Sequence, residues 1–291
     1  MAAHRRYHQP FRDCGDAGDP ADTRPERQCP DCLPVRRRRI PRAMTGTSFY
    51  GSTIGRLRAV TAATVIATAV FVVFPGIDLA VARMLVGSDG HFILAFDPFA
   101  HFINSVVPAL ATLIGVFALT GLVVVAVKRV PFYFLKGRDL VFLVLVLSIG
   151  PGLIANSLFK ENWERARPSQ IEAFGGDKVF SKAFVISDQC PGNCSFISGD
   201  ASLAFALLAL VVVWPGNRRR AAVAIGAFGV LVGFVRMAQG AHFLSDVVLA
   251  ALIMMITILL LQAVVLERRW GVSAFFEKIA GKPSSSRPLD R

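Results

Sequence analysis

Six apolar stretches organise this chain, at about 57–74, 104–127, 140–159, 199–214, 221–240 and 244–266. Their residues run on without the period-two alternation of a membrane barrel. A helix crosses the hydrocarbon core with roughly 20 apolar residues, so most of the stretches fit, and the first and fourth are short. In lipid the backbone must satisfy its own hydrogen bonds, which makes each stretch a helix. The pattern predicts an all-α, polytopic membrane protein with six transmembrane helices.

Polar and breaker residues punctuate the pattern. Phe74-Pro75-Gly76 ends the first stretch and Trp214-Pro215-Gly216 the fourth. Gly150-Pro151-Gly152 lies inside the third, where a break in the helix is expected. Between the first two stretches, residues 75–103 mix apolar and polar positions and include His91, Asp97, Pro98 and His101. This segment is expected to lie along the membrane interface and cap one face of the bundle.

Residues 1–50 show no apolar period and are rich in Arg, Pro, Asp and Gly, so they are expected to be a disordered basic tail. They are not a signal peptide, because no apolar core follows the first charges. Met44 stands just before the first span and is an alternative start, in which case residues 1–43 are not translated. The organisation expected is a tail (1–50), a six-helix membrane domain (51–270) and a second cytoplasmic tail (271–291).

A net charge of +12 suggests nucleic acid at first. Its distribution argues otherwise. Of the 32 Lys and Arg, 25 fall in the two tails and the span ends beside them, the 128–138 loop and the 218–220 loop. That bias puts both termini in the cytoplasm, and no nucleic-acid recognition module accompanies the charge. The other seven cations face the opposite side: Arg83, Lys160, Arg165, Arg167, Lys178, Lys182 and Arg236. Orientation disfavours cations there, so another reason is expected to keep Lys160, Arg167 and Arg236, which belong to the three clusters described next. Cys29-x-x-Cys32 lacks a second ligand pair at zinc spacing, and no metal site is assigned. Cys190 and Cys194 flank Pro191-Gly192-Asn193 in the longest outer loop. A disulfide there would close a tight loop and brace the approach to Ser198, and the spacing leaves open whether it forms.

Three polar clusters lie at span ends on that outer side. Lys160 and Arg167-Pro168 form the first, Ser198-Gly199-Asp200 the second, and Arg236, His242 and Asp246 the third. Cations stabilise the oxygens of a transferring phosphoryl group, and arginine's planar fork matches two of them at once. Ser198-Gly199 opens a helix, whose free N–H groups suit an anion, although an ordinary N-cap serine reads the same way. His242 and Asp246 are four apart and share a helical face. A carboxylate that fixes one imidazole nitrogen leaves the other free as a nucleophile.

Lys160-x6-Arg167-Pro168, Ser198-Gly199 and Arg236-x5-His242-x3-Asp246 together resemble the three-part signature of the type 2 phosphatidic acid phosphatases, membrane enzymes related to vanadium haloperoxidases. The resemblance covers about 140–266. It implies that His242 is a nucleophile forming a phosphohistidine, oriented by Asp246. It implies that Lys160, Arg167, Arg236, Ser198 and the Gly199 amide bind the phosphoryl group, with no metal or other cofactor. The second motif departs from the family, which has Pro-Ser-Gly-His where this chain has Ile197-Ser198-Gly199-Asp200. Asp200 therefore stands in place of the family's general acid. Acidic residues at this position resemble the lipid A phosphatases.

The expected function is a bacterial inner-membrane phosphatase of lipid phosphates with a periplasmic site. Lipid A phosphate is the favoured substrate, ahead of undecaprenyl diphosphate and of phosphatidic acid or phosphatidylglycerophosphate. A lipid-phosphate binder that has lost its acid is the alternative. The partners expected are the lipid substrate and the bilayer, and nothing in the sequence calls for nucleic acid or an obligate protein partner.

Overall fold

A computed structural model describes residues 52–267; the readings made on the tails, Met44, Cys14, Cys29 and Cys32 lie outside them. The described residues are helical apart from loops and isolated β-bridges. In chain order the helices are α1 (Thr53–Val73), α2 (Gly76–Met84), α3 (Pro98–Lys128), α4 (Gly137–Lys160), α5 (Gly199–Val213), α6 (Arg218–Ala238) and α7 (Leu244–Leu266). Five of them, α1, α3, α4, α6 and α7, are long and apolar enough to cross a membrane.

Local chemistry sets the ends. Asp97 caps α3 by accepting from the Ala100 N–H at 2.8 Å, and Pro98 takes the first turn, where no N–H is needed. Asn217 caps α6 through the Arg220 N–H at 3.0 Å. In α4 the expected break appears as a change of helix type. Regular α-helix runs to Leu147, and Ser148–Lys160 continues as a wider π-helix containing Pro151. Such stretches gather at functional sites, and this one ends on Lys160.

The fourth apolar stretch is where sequence and structure differ. The apolar stretch 199–214 becomes α5, only 15 residues long and interrupted at Leu207–Leu208. At 1.5 Å per residue it reaches about 22 Å, short of a hydrocarbon core of about 30 Å. Its first residues explain the shortfall. Ser198 and Gly199 are buried, so α5 starts inside the protein, after a loop that folds into the bundle.

The helix α5 packs against α3, α4, α6 and α7, which makes it the centre of the bundle. Phe142 and Val146 of α4, Ala201 and Phe205 of α5, Met254 of α7, and Phe196 and Ile197 of the loop form the main buried cluster. Outward positions such as Val65, Ile66, Leu113, Val116 and Val123 are apolar and exposed, as faces turned to lipid require.

Candidate active site

The ends of α4, α5, α6 and α7 and the 161–198 loop converge, and they bring all eight residues singled out from the sequence together. Four of these, Ser198, Gly199, His242 and Asp246, are buried; Lys160, Arg167, Asp200 and Arg236 are half-buried around them. The charges of Lys160, Arg167, Arg236 and Asp200 lie close enough to act on one another. Gly199 lies against Lys160: a Cβ built on it would stand 3.6 Å from Lys160 Nζ and 3.2 Å from Asn156 Oδ1. A side chain there would intrude on the space between the lysine and the start of α5.

Both arginines are held by neighbours. Arg236 Nε meets Asp200 Oδ2 at 2.9 Å, and its Nη1 donates to Gln239 Oε1 at 2.9 Å. Arg167 donates from Nη2 to the Asn193 carbonyl at 2.8 Å. Asn193 lies in the turn closed by a Cys190–Cys194 disulfide, so that bridge is present and its loop supports a site cation. Partial burial, and secondarily the Arg236 cation, hold the Arg167 guanidinium below its ordinary value. Ser198 caps α5, with its Oγ accepting from the Ala201 N–H at 3.4 Å.

The imidazole of His242 has two neighbours at Nδ1, the Ser195 carbonyl as well as the expected Asp246 carboxylate. Its Nδ1 lies 2.7 Å from the Ser195 carbonyl and 3.8 Å from Asp246 Oδ2. A carbonyl only accepts, so Nδ1 carries the proton and Nε2 keeps its lone pair. Asp246 flanks the ring and serves chiefly as an anchor. Its Oδ2 accepts from Ser195 Oγ at 2.5 Å and from the Phe243 N–H at 2.8 Å, and its Oδ1 from Arg165 Nη1 at 2.6 Å. Ser195 thus ties the imidazole and the carboxylate together. Burial is the main influence holding the His242 imidazole below its ordinary value, with the Asp246 carboxylate opposing it.

Sequence reasoning missed the layer behind this pair. Arg165, one of the seven outer cations, belongs to none of the three clusters, yet it is 0% exposed. It donates to Asp246 on one side and from Nη2 to Asp78 Oδ2 at 2.8 Å on the other. Asp78 comes from α2, which therefore caps the site as a ligand of its charge network. The available signal was Arg165 itself, a cation two residues from the motif arginine on the disfavoured side. Gly240 between Arg236 and His242 takes φ +69°, and a Cβ there would strike the Phe92 ring. The turn that spaces Arg236 from His242 thus needs glycine.

Residues 141–270 match the PAP2 superfamily model. Across 205 residues, 68% of this chain, it is 34% identical to a lipid A 4'-phosphatase of Francisella tularensis subsp. novicida, and covers 90% of that protein. It is also 43% identical over 104 residues to a lipid A 4'-phosphatase of Rhizobium leguminosarum, covering 45% of it. With one of Rhizobium etli it shares 42% identity over 104 residues, 40% of that protein. No solved structure matches. A bundle of apolar helices with a buried histidine among cations is thus the membrane domain of a phosphatase class. The chain belongs to the PAP2 superfamily, and its enzyme class is lipid phosphate phosphatase.

Proposed function

We propose that the protein dephosphorylates lipid A, or a closely related lipid phosphate, on the periplasmic side of the bacterial inner membrane, through a phosphohistidine at His242. The bond from His242 Nδ1 to the Ser195 carbonyl at 2.7 Å carries this reading, because it leaves Nε2 as an unprotonated nucleophile beside a basic cradle. The phosphate monoester enters laterally with its lipid chains in the bilayer. Lys160, Arg167, Arg236, Ser198 and the Gly199 N–H take the phosphoryl oxygens. Nε2 bonds to phosphorus as the ester P–O bond breaks, and water then hydrolyses the phosphohistidine.

Asp200 occupies the place of the family's general acid, and its ion pair with Arg236 supports a different first duty, orienting that guanidinium. The names of the relatives favour lipid A among the lipid phosphates weighed, with undecaprenyl diphosphate and glycerophospholipid phosphates as competitors. The similarity to phosphatases also weighs against a binder that has lost its activity. The test is phosphate release by the purified protein from lipid A, undecaprenyl diphosphate and phosphatidic acid in mixed micelles. Preferential release from lipid A supports the reading; faster release from either competitor reassigns the substrate.

A further inference from the structure

Asp78, Arg165, Ser245 and Asp246 form a sealed network directly behind His242. Asp78 is 1% exposed, and Arg165, Ser245 and Asp246 are 0% exposed. Asp78 accepts from the Ser245 N–H at 2.9 Å, from Ser245 Oγ at 2.6 Å and from Arg165 at 2.8 Å. Arg165 also donates to Ser245 Oγ at 2.9 Å and from Nε to the Ser181 carbonyl at 3.0 Å, and its guanidinium lies 4.3 Å from the Phe243 ring centroid. The network therefore holds two carboxylates and one guanidinium. Among the described residues no second cation contacts either carboxylate.

An Asp246–Arg165 pair alone would be neutral, and burying a second carboxylate is expensive unless something uses its charge. The chemistry at His242 supplies a use. When Nε2 bonds to phosphorus and the ester P–O bond breaks, the leaving oxygen takes the electron pair and a proton from Asp200 or solvent. The ring then carries Nδ1–H and Nε2–P and is a cation. We propose that Asp78 is a positioning residue for this step: acting through Arg165, it leaves the pocket behind His242 one negative charge in excess, which stabilises the ring as it becomes cationic. This inference rests on the phosphohistidine reading above. It also gives α2 a purpose beyond covering the site, since α2 delivers the second carboxylate.

A structural anchor and a charge donor differ in what they move. The charges facing His242 are Asp246, Arg236 and Asp200, with Arg165 and Asp78 behind Asp246. Removing one negative charge while keeping side-chain shape makes the cationic ring less favourable. The experiment measures phosphate release from a lipid phosphate monoester in mixed micelles by the full-length wild type, Asp78→Asn and Ser245→Ala. Asp78→Asn is expected to lower kcat about tenfold or more with KM within about twofold. It is also expected to move the acid limb of kcat/KM down by about half a pH unit or more. Ser245→Ala keeps every charge, so its acid limb should stay within about 0.2 units of wild type. If Asp78→Asn does not fold, Asp78→Asn/Ser245→Ala, which removes the clash between the new amide and the Ser245 hydroxyl, is compared with Ser245→Ala in the same way. An unmoved limb, an unchanged kcat, an equal shift in Ser245→Ala, or failure of both Asp78 variants to fold overturns the inference and makes Asp78 an anchor. Wild-type inactivity, or full activity in His242→Ala, would instead overturn the phosphohistidine reading itself.

Discussion

At the scale of single residues, the site is a buried imidazole with its proton assigned by a backbone carbonyl. In the proposed mechanism His242 attacks only when neutral, and burial favours the neutral form. The sign follows directly: a base whose value is lowered in the folded protein stays neutral below the ordinary imidazole value of about 6.5. The expected kcat/KM profile is flat as pH falls through about 6.5, with the acid limb below it. The same group contributes folding stability that is complete above about 6.5 and is lost as pH falls further. A limb above 7 in the free enzyme would mean that another group controls the attack. Asp200 is tested by its leaving group. As an orienter of Arg236, Asp200→Asn should lower kcat/KM by similar factors, about 10-fold, for aryl and alkyl phosphates. A loss confined to alkyl esters, whose leaving oxygens need a proton, would make it the acid. Arg165 shows how far the sequence could be read. The motif spacing singled out eight residues that the fold brings together, because the proposed chemistry sets those types and intervals. The guanidinium behind them was counted as an outer cation and left unexplained, because its partners Asp78 and Ser245 lie 87 and 80 residues away in the chain.

At the scale of elements, the informative ones are the short helix and the disulfide turn. Five spans follow from apolar length, and Asp97, Pro98 and Asn217 set helix starts that the apolar pattern alone did not mark. The fourth apolar stretch was legible as short, but the reason was not: Ser198-Gly199 is buried, so helix length gives way to a recessed cradle. The Cys190–Cys194 turn presents the Asn193 carbonyl to Arg167, and the same loop leads directly into Ser195. Cys190→Ser/Cys194→Ser should therefore raise KM about 3- to 10-fold as Arg167 loses its fixed position. Because the loop is small, the bridge constrains few unfolded states, and its contribution to global stability should be under about 3 kcal/mol. Steady-state kinetics with thermal unfolding checks both; unchanged KM would detach the turn from phosphate binding.

At the scale of the whole molecule, the account requires every active group to face one compartment, opposite the basic loops. The proposed direction rests on positive-inside counting, which assigns 25 of the 32 Lys and Arg to the other side. In cells with a permeabilised outer membrane, a membrane-impermeant maleimide should label Lys182→Cys and leave Arg219→Cys unlabelled until the inner membrane is broken. The reverse pattern would place the site in the cytoplasm. The central claim is the covalent intermediate, and it is tested most directly by rapid acid-free quenching of the enzyme with lipid A labelled in its phosphate. The account predicts label on His242 that survives alkali and is lost in acid, and its disappearance in His242→Ala along with turnover. Turnover that continues in His242→Ala, or label found on any other residue, would contradict it.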